Sequence, residues 1–236
     1  MDSLNEENLS SQTILDPDGF RPLDAVGDPD PRNQLWATVD LIAGTSKPFT
    51  LSDHHRAIAQ EVLNEKVPRD VHVQFETVRN LYLYAWFAYR FYPVAEHQSL
   101  SCLELALRIR LEKDIQLGNV ARGRRPMLQA MLGYAVDKGV IKNEGFERWR
   151  NRGETNARAR VQFEKMREMV KCDIPEIAWD EAEVQVTEQD LEWDFVQVLV
   201  KTLPKIRNEH AHGSTELHFQ VLNTIQIVRE TINQLF

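Results

Sequence analysis

The stretch that decides the fold runs from Val71 to Tyr92 and reads VHVQFETVRNLYLYAWFAYRFY. Apolar residues recur in it at steps of three and four, namely Val71, Phe75, Val78, Tyr82, Ala85, Tyr89 and Tyr92. Positions with this spacing share one face of an α-helix, so the stretch predicts a long buried helix. Pro93 is expected to stop or kink it, because proline has no N–H to donate within a helix.

The same period continues along the rest of the chain. The predicted apolar rows are Leu100, Leu103, Leu107 and Leu111 (helix 94–116); Met127, Ala130, Met131 and Tyr134 (helix 126–138); Leu191, Phe195, Val198 and Thr202; and Leu217, Val221, Ile225, Val228, Ile232 and Leu235. Convincing strand alternation is absent from the sequence. The pattern therefore predicts an all-α protein, an antiparallel up-and-down helical bundle.

Helix boundaries follow from capping and breaking residues. Thr50 and Asp53 resemble a capping box for a helix to about residue 64, and Thr187 and Asp190 resemble another before the Phe195 helix. A short helix is expected over about 34–42, and a charged one over 144–171 with a break at Gly153. Pro204 should kink its helix, Gly213 should end it, and Ser214 should cap the last helix.

Three segments differ in composition. Residues 1–32 are acidic and rich in Asp-Pro and Asp-Gly pairs, so we expect a mobile or loosely docked, irregular arm. Residues 33–68 should form a short helical extension. Residues 69–236 should form the bundle.

Composition restricts the function classes. The net charge of −8 argues against bulk nucleic-acid binding. Cys102 and Cys172 are not in a Cys-x-x-Cys pair, which disfavours a zinc knuckle or dithiol motif and favours a reducing, cytoplasmic location. The apolar window 81–92 is too short for a bilayer, and Met1–Ser10 lacks the pattern of a secretory signal, so no membrane association is expected. No glycine-rich nucleotide loop is present, which disfavours an ATPase or dehydrogenase.

The chemically pointed feature is Arg207-Asn208-Glu209-His210-Ala211-His212. On a regular helix Arg207 and His212 would point ~140° apart and would not share a ligand. Because Pro204 precedes them and Gly213 follows, the helix end is expected to fray. The two side chains would then converge, or each would face a partner subunit.

This run resembles the signature of the HEPN superfamily (higher eukaryotes and prokaryotes nucleotide-binding), in which Arg, often followed by a polar residue, precedes His by four to six positions. Residues 101–108, SCLELALR, are similar to that family's helix of the form Glu-x-Ala-Leu-basic, and residues 127–141 also look family-like. The likeness covers about residues 70–236.

The resemblance implies metal-independent cleavage of RNA by 2′-hydroxyl attack, leaving 2′,3′-cyclic phosphate ends, in a homodimer with a composite active site. It implies no cofactor and no metal, and it suggests a role in stress response or phage defence, with an antitoxin or regulatory protein as a further partner. Arg207 would hold the phosphate, His212 would act as general base or acid, and Asn208 would orient the substrate. Glu209 and Glu104 would support the site. Where some toxin members have a modified Tyr two residues after the His, this chain has Ser214, which puts control by that route in doubt.

Other readings of these residues stay open. Arg207, Asn208 and Glu209 at a helix end would also suit local pairing in a non-catalytic helical module that binds a protein partner or a nucleotide. A zinc site at His210 and His212, or at His54 and His55, lacks the usual ligand spacing. Without the family resemblance, Glu104 would be read as a surface residue or as a buried acid with a partner.

Basic residues cluster between positions 118 and 160 despite the acidic whole. We expect an RNA-contact surface there, formed by Arg122, Arg124, Arg125, Arg148, Arg150 and Arg152, with a solvated helix face as the alternative. Residues 173–194 contain many acids and no Lys or Arg. This acidic segment would repel phosphates, or cover the basic face until a target displaces it.

Overall fold

The computed structural model describes residues 16–40, 44–121, 125–178, 180–212, 217 and 220–236. These residues contain eight α-helices: α1 (Leu51–Ala59), α2 (Arg69–Tyr84), α3 (Phe91–Arg110), α4 (Glu112–Gln116), α5 (Leu128–Asp137), α6 (Glu147–Cys172), α7 (Phe195–Ala211) and α8 (Val221–Leu235). A two-stranded antiparallel hairpin joins β1 (Ala37–Asp40) to β2 (Thr45–Pro48). The predicted all-α class and helical bundle are confirmed.

Helix α3 lies at the centre of the bundle and packs against α2, α5, α7 and α8. Its predicted row is confirmed, since Leu100, Leu103 and Leu107 have no exposed surface. The helix ends earlier than expected, and a break at Leu111 separates it from the short α4.

Contacts along α3 give the directions of its neighbours. Glu104 contacts Arg207 whereas Glu96 contacts His210, so α3 and α7 are antiparallel. Glu96 also accepts from Thr224, and Arg110 donates to the carbonyl of Leu235, so α3 and α8 are parallel. Helices α7 and α8 both pack on α3, and residues of both helices line the space between them. A cleft therefore remains between them.

The Val71–Tyr92 stretch is buried as expected, but it is not one helix. Helix α2 ends at Tyr84 and α3 begins at Phe91, so Pro93 lies in the first turn of α3. There its missing N–H has no helical acceptor to lose. The break is stabilised from outside the bundle, because Asp30 accepts from the N–H of Tyr89 at 3.1 Å and donates its own N–H to the carbonyl of Trp86 at 2.9 Å.

The described part of the N-terminal arm, from residue 16 onward, docks on this break. The Asp30 carboxylate is fully buried and pairs with the Arg32 guanidinium at 2.9 Å. Asn33 donates from Nδ2 to the carbonyls of Ala85 and Trp86, both at 2.9 Å. This docking is tighter than the Asp-Pro composition indicated, because the arm satisfies backbone groups that the broken helix exposes.

The predicted short helix over 34–42 is wrong. A 3-10 turn over Pro31–Leu35 leads into β1, whose Thr38 pairs with Lys47 of β2. The β-branched pair Thr38 and Val39 favours a strand, and Gly44 adopts the positive φ of 64° near the turn. Residues 41–43 of the turn lie outside the described residues.

Two predicted boundaries near α6 and α7 also change. Helix α6 continues through Gly153, which lies so close to the Leu191 side chain that a Cβ would come within 2.5 Å of it. The Thr187 and Asp190 capping box forms, but it caps a 3-10 turn, and α7 begins only at Phe195. The predicted Gly213 stop and Ser214 cap lie outside the described residues.

The remaining rows are mixed. In α7, Val198 and Thr202 are exposed and the buried positions are Phe195, Val196, Leu199, Leu203 and Pro204. In α5, Met127 is exposed while Leu128, Met131, Leu132 and Ala135 are buried. The α8 row is confirmed from Val221 to Leu235, as is the Thr50–Asp53 capping box of α1, although α1 ends at Ala59. Within the described ranges no helix is both long and apolar enough to cross a bilayer.

Candidate functional site between helices α3, α5 and α7

The motif occupies the last turn of α7. Asp194 caps the start of this helix by accepting from the N–H of Gln197 at 3.3 Å. The buried Leu199 and Leu203 then hold the helix against its neighbours. The helix is regular through Ala211, and the N–H of His212 donates to the carbonyl of Asn208 at 3.0 Å. The expected fraying before His212 is therefore not observed.

Arg207 lines a small groove where α7 meets α3 and the start of α5. The groove has a volume of about 170 Å³, and its polar lining consists of Glu104, Arg108, Arg125, Gln129, Arg207 and Asn208. Nη2 of Arg207 lies 3.5 Å from Oε2 of Glu104, and Arg108 forms a second ion pair with the same carboxylate. Cationic side chains thus outnumber acids around the groove, which favours an anionic ligand.

One donor of Arg207 is unused. Its Nε is buried and donates to no atom of the described residues. A buried N–H without an acceptor is costly, and buried polar groups are almost always paired in folded proteins. The Arg207 side chain is about one-third exposed, so its terminal nitrogens can contact an anion directly, whereas Nε could join a bidentate contact only after the side chain turns outward.

His212 does not join this groove. It is exposed at the C-terminal end of α7, and on this regular helix it points ~140° away from Arg207. Around the axis of α7, the Asn208 side chain points between the directions of Arg207 and His212. It lines the groove, and it precedes His212 by one turn on the same face. Glu209 is exposed and lines the cleft on the opposite, α8 side.

A second polar cluster occupies the floor of the cleft between α7 and α8. Nε2 of His210 lies 2.6 Å from Oε2 of Glu96, and Oγ1 of Thr224 donates to Oε1 of the same carboxylate at 2.6 Å. Glu96 is almost fully buried, so both oxygens are satisfied inside the protein. This cluster links α3, α7 and α8. The cleft above it has a volume of about 340 Å³ and apolar walls that include Phe195, Leu199 and Ile206.

Sequence reasoning missed this cluster. It considered His210 only as half of a metal pair, and it did not consider Glu96. The helical period carried a signal, because Glu96 falls on the buried row of Tyr92, Ser99 and Leu103, where a carboxylate requires a partner. Across the described part of the chain, no group of three His, Cys, Asp or Glu side chains is placed to hold a metal ion.

His97, the neighbour of Glu96, belongs to the same region. Its ring centroid lies 6.3 Å from that of His210, and it is only partly buried. Burial, followed by the positive charges of His210 and Arg207, lowers the pKa of His97 below its ordinary value. An imidazole close to His210 is therefore on α3, at a residue that the motif does not include.

The predicted RNA-contact arginines separate into groups. Arg125 lines the groove and Arg148 the cleft, and neither has an ion pair within the described residues. Arg150 donates to the carbonyl of Glu144 at 2.6 Å, and the Arg152 guanidinium lies 4.4 Å from the Trp193 ring centroid. Arg122 and Arg124 lie outside the described residues.

The acidic segment covers much of α6. Arg158 pairs with Glu181 at 3.0 Å, Arg160 with Asp190 at 2.9 Å, and Lys165 with Glu183 at 2.9 Å. Hydrogen bonds from the Arg160 side chain, and then from Thr187, hold the pKa of Asp190 well below its usual range. These α6 cations are thus already neutralised by the chain itself.

The chain matches no protein-family model, no curated protein and no solved structure.

Proposed function

We propose that the protein is a metal-independent endoribonuclease of the HEPN type, in which Arg207 binds the scissile phosphate. The observation that supports this most directly is the Arg207 guanidinium, half-buried in an open groove with an unused Nε donor beside Arg108 and Arg125. A phosphodiester in the groove would contact the terminal nitrogens, and it would supply the acceptor for Nε once the side chain turns outward. Asn208, on the rim of the same groove, would contact the adjacent sugar or base.

The proposed reaction is transphosphorylation. The ribose 2′-oxygen attacks the adjacent phosphorus, the bond from phosphorus to the 5′-oxygen breaks, and a 2′,3′-cyclic phosphate forms. A base must take the 2′-hydroxyl proton, an acid must protonate the leaving oxygen, and a cation must stabilise the phosphorane charge. Arg207 supplies the cation and His212 one of the proton-transfer groups.

The direction of His212 has a consequence for assembly. Because α7 keeps the two side chains ~140° apart, His212 would meet a phosphate on its own Arg207 only if the RNA strand passed over the end of the helix. A homodimer offers a second solution, in which His212 of each protomer approaches Arg207 of the other. The exposed position of His212 supports either arrangement.

The test is cleavage of a structured RNA in excess chelator, with mapping of the product ends. Arg207→Ala and His212→Ala should each lower the rate by about 100-fold or more, the usual contribution of such groups. Lys205→Ala is the matched control, because Lys205 is exposed on the same helix and points ~160° from Arg207. Intact RNA with the unaltered protein, or equal cleavage by all variants, would rule the proposal out.

A specific surface favours a second function, that of a non-catalytic interaction module. Phe163, Met166 and Val170 lie on one face of α6 and are 56%, 58% and 84% exposed. A row of exposed large apolar side chains at helical spacing is typical of a surface that binds a partner helix. If the RNA remains intact while Val170→Asp changes the sedimentation coefficient of the protein or of a complex, this function replaces the first.

A further inference from the structure

A second kind of pocket, the hairpin pocket, lies between the β-hairpin and the bundle and shares no lining residue with the groove or the cleft. Its volume is about 410 Å³, and its walls are mainly aromatic, formed by the rings of Trp36, Phe49, His54, Tyr82 and Tyr92. Aromatic walls around an open space are suited to a flat ring, which can stack on their faces or meet their edges.

The hairpin register explains how one wall is built. The N–H of Phe49 donates to the carbonyl of Trp36 at 2.9 Å, so these two residues lie opposite each other at the open end of the hairpin. Thr38 pairs with Lys47 two positions further along. Residues directly opposite each other, and residues two apart on one strand, share a face of a sheet. Trp36, Phe49 and Thr38 therefore form the hairpin wall of the pocket.

The opposite wall belongs to the bundle and is held by its own contacts. The His54 ring stacks on Tyr82 with the centroids 4.6 Å apart, and the Tyr92 ring meets Tyr82 edge-on at 5.3 Å. Nε2 of His54 donates to the carbonyl of Tyr82 at 2.9 Å, and the Tyr92 hydroxyl donates to Oδ1 of Asn33 at 3.3 Å. These rings are thus in position before a ligand binds, which lowers the entropic cost of binding.

The Tyr82 hydroxyl is the polar group that this wall leaves unused. Tyr82 is 6% exposed and lines the pocket, yet within the described residues its hydroxyl forms no hydrogen bond. The oxygen is not sealed inside the core either, so it opens to the pocket. Burial, and then the nearby Tyr89, raise the pKa of Tyr82, which keeps the proton on the hydroxyl. A ligand with a hydrogen-bond acceptor at its edge would satisfy this donor.

The charges around the hairpin pocket disfavour a cationic ligand. Lys47 lies on the same face of the hairpin as Thr38, which places a positive charge near the pocket. Hydrogen bonds from Thr50, and then the charges of Lys47 and Arg56, lower the pKa of Asp53, so this carboxylate is already paired. A quaternary ammonium, which aromatic cages often bind, would meet a cation here and no free carboxylate.

We propose that the hairpin pocket binds an uncharged planar heteroaromatic ring of the purine class, stacked between the two walls and hydrogen-bonded to the Tyr82 hydroxyl. The ring is planar because the walls are aromatic, uncharged because a buried unpaired charge is costly, and polar at its edge because Tyr82 needs an acceptor. A free nucleoside and a base in a single strand both offer this chemistry. The inference is independent of the ribonuclease proposal, because Arg207 and His212 take no part in it.

The first arm of the experiment titrates adenosine into the full-length protein by calorimetry. Tyr82→Phe should weaken binding about 5-fold, the usual contribution of one hydrogen bond, and should leave the urea midpoint unchanged because the lost hydroxyl is unpaired. Tyr84→Phe is the matched control. It makes the same change on the same helix at an exposed tyrosine outside the pocket, and it should bind adenosine normally.

The second arm tests the hairpin wall. Trp36→Ala should weaken adenosine binding about 10-fold through the loss of stacking, whereas Trp36→Phe should keep most of the affinity. Leu35→Ala removes the exposed neighbouring side chain and should have no effect. Tetramethylammonium is the cationic probe, and it should bind more weakly than adenosine.

The third arm identifies the source of the base with a 2′-deoxyadenylate pentamer, which has no 2′-hydroxyl and so stays intact whether or not the protein cleaves RNA. Tighter binding of the pentamer than of adenosine, with the same loss in Tyr82→Phe, would support a base in a strand. Equal or weaker binding would support a free nucleoside.

Three results would overturn the proposal, and none of them bears on RNA cleavage. The first is that neither adenosine nor the pentamer binds at millimolar concentration. The second is that adenosine binds with the same affinity to the unaltered protein, to Tyr82→Phe and to Trp36→Ala. The third is that tetramethylammonium binds more tightly than adenosine, which would assign the pocket to a cation.

Discussion

Glu96 and His210 join α3 to α7 through a 2.6 Å hydrogen bond in a region where Glu96 is 1% exposed. We expect Glu96→Ala to destabilise the fold by about 3 kcal/mol, because it leaves the Thr224 hydroxyl and the His210 ring without their buried partner. Urea denaturation measures the change. Glu76→Ala, which removes an exposed pair with Arg79, should cost under ~1 kcal/mol. Equal losses of unfolding free energy in the two variants would show that the buried cluster stabilises the fold no more than an exposed ion pair does.

His54 predicts a loss of stability in mild acid. It is buried, its Nε2 contacts the carbonyl of Tyr82 at 2.9 Å, and burial lowers its pKa below the ordinary value. The unfolded chain therefore binds a proton on His54 at a higher pH than the folded protein does. Stability is fully present above about pH 6.5 and decreases as the pH falls below it.

The measurement is urea unfolding at several pH values between about 7.5 and 5, where His54 titrates in the unfolded chain. His54→Phe should flatten the pH dependence in this range, since phenylalanine keeps the stacking on Tyr82 without a titrating group. His55→Ala is the control, because the exposed neighbouring imidazole is the smallest of the influences on the pKa of His54, so most of the slope should remain. A slope that survives His54→Phe would assign the effect to another group.

The acidic segment predicts weak RNA binding by α6 in the intact protein. Neutralising Glu181, Glu183 and Asp190 as amides should free Arg158, Lys165 and Arg160. RNA affinity should then rise, and its logarithmic salt dependence should steepen by about 0.7 for each new phosphate contact on a single strand. Titrations at several salt concentrations measure both. Glu112→Gln, on the exposed α4, should change neither, and an unchanged triple variant would argue against a covering role.

Asp190 adds a pH dependence of known sign. Its folded-state pKa is depressed mainly by Arg160, so the stabilisation that it provides is present above about pH 4 and decreases as the pH falls through its folded pKa. Asp190→Asn should therefore detach residues 180–194 at neutral pH. Hydrogen exchange of that segment should be faster in the variant at pH 7 than in the unaltered protein, and a segment that is equally protected in both would contradict the assignment.

The contacts of Asp30 predict that the N-terminal arm detaches when this residue is replaced. Asp30→Ala removes the acceptor for the Tyr89 N–H and the partner of Arg32, at an expected cost of about 2 kcal/mol. Limited proteolysis should then cut near residues 16–35 well before the bundle. Asp24→Ala, in an exposed part of the same arm, should leave the cleavage pattern unchanged.

Local signals in the sequence were enough to predict the class and much of the core. Leu100, Leu103 and Leu107 were identified by period alone, because a central helix buries the same face whatever surrounds it. The end of α2 could not be predicted in this way. Its residues Ala85 and Tyr89 keep the helical period, and the break depends on Asp30, which is distant in sequence.

The candidate site, too, could be predicted from the sequence only in part. Arg207 and Asn208 were identified from their motif, and the structure places both at the groove. The link between Glu96 and His210 spans 114 positions, and no spacing rule connects them. Sequence period indicated that Glu96 needs a partner but not which residue provides it. The proximity of His97 to this pair depends on how α7 seats on α3, which is a tertiary property.

Two pairs, Glu104–Arg207 and Glu96–His210, join the antiparallel helices α3 and α7. Together they constrain how the end of α7 can move. A slide of one turn, ~5.4 Å along the axis, would detach Arg207 and His210 from their carboxylates at once. Rotation about the axis would do the same, since both pairs lie on one side of the helix. Bending is left as the least costly motion, and Pro204, which gives up one backbone hydrogen bond just before Arg207, is the natural pivot. Opening of the groove would then swing the motif as a rigid unit.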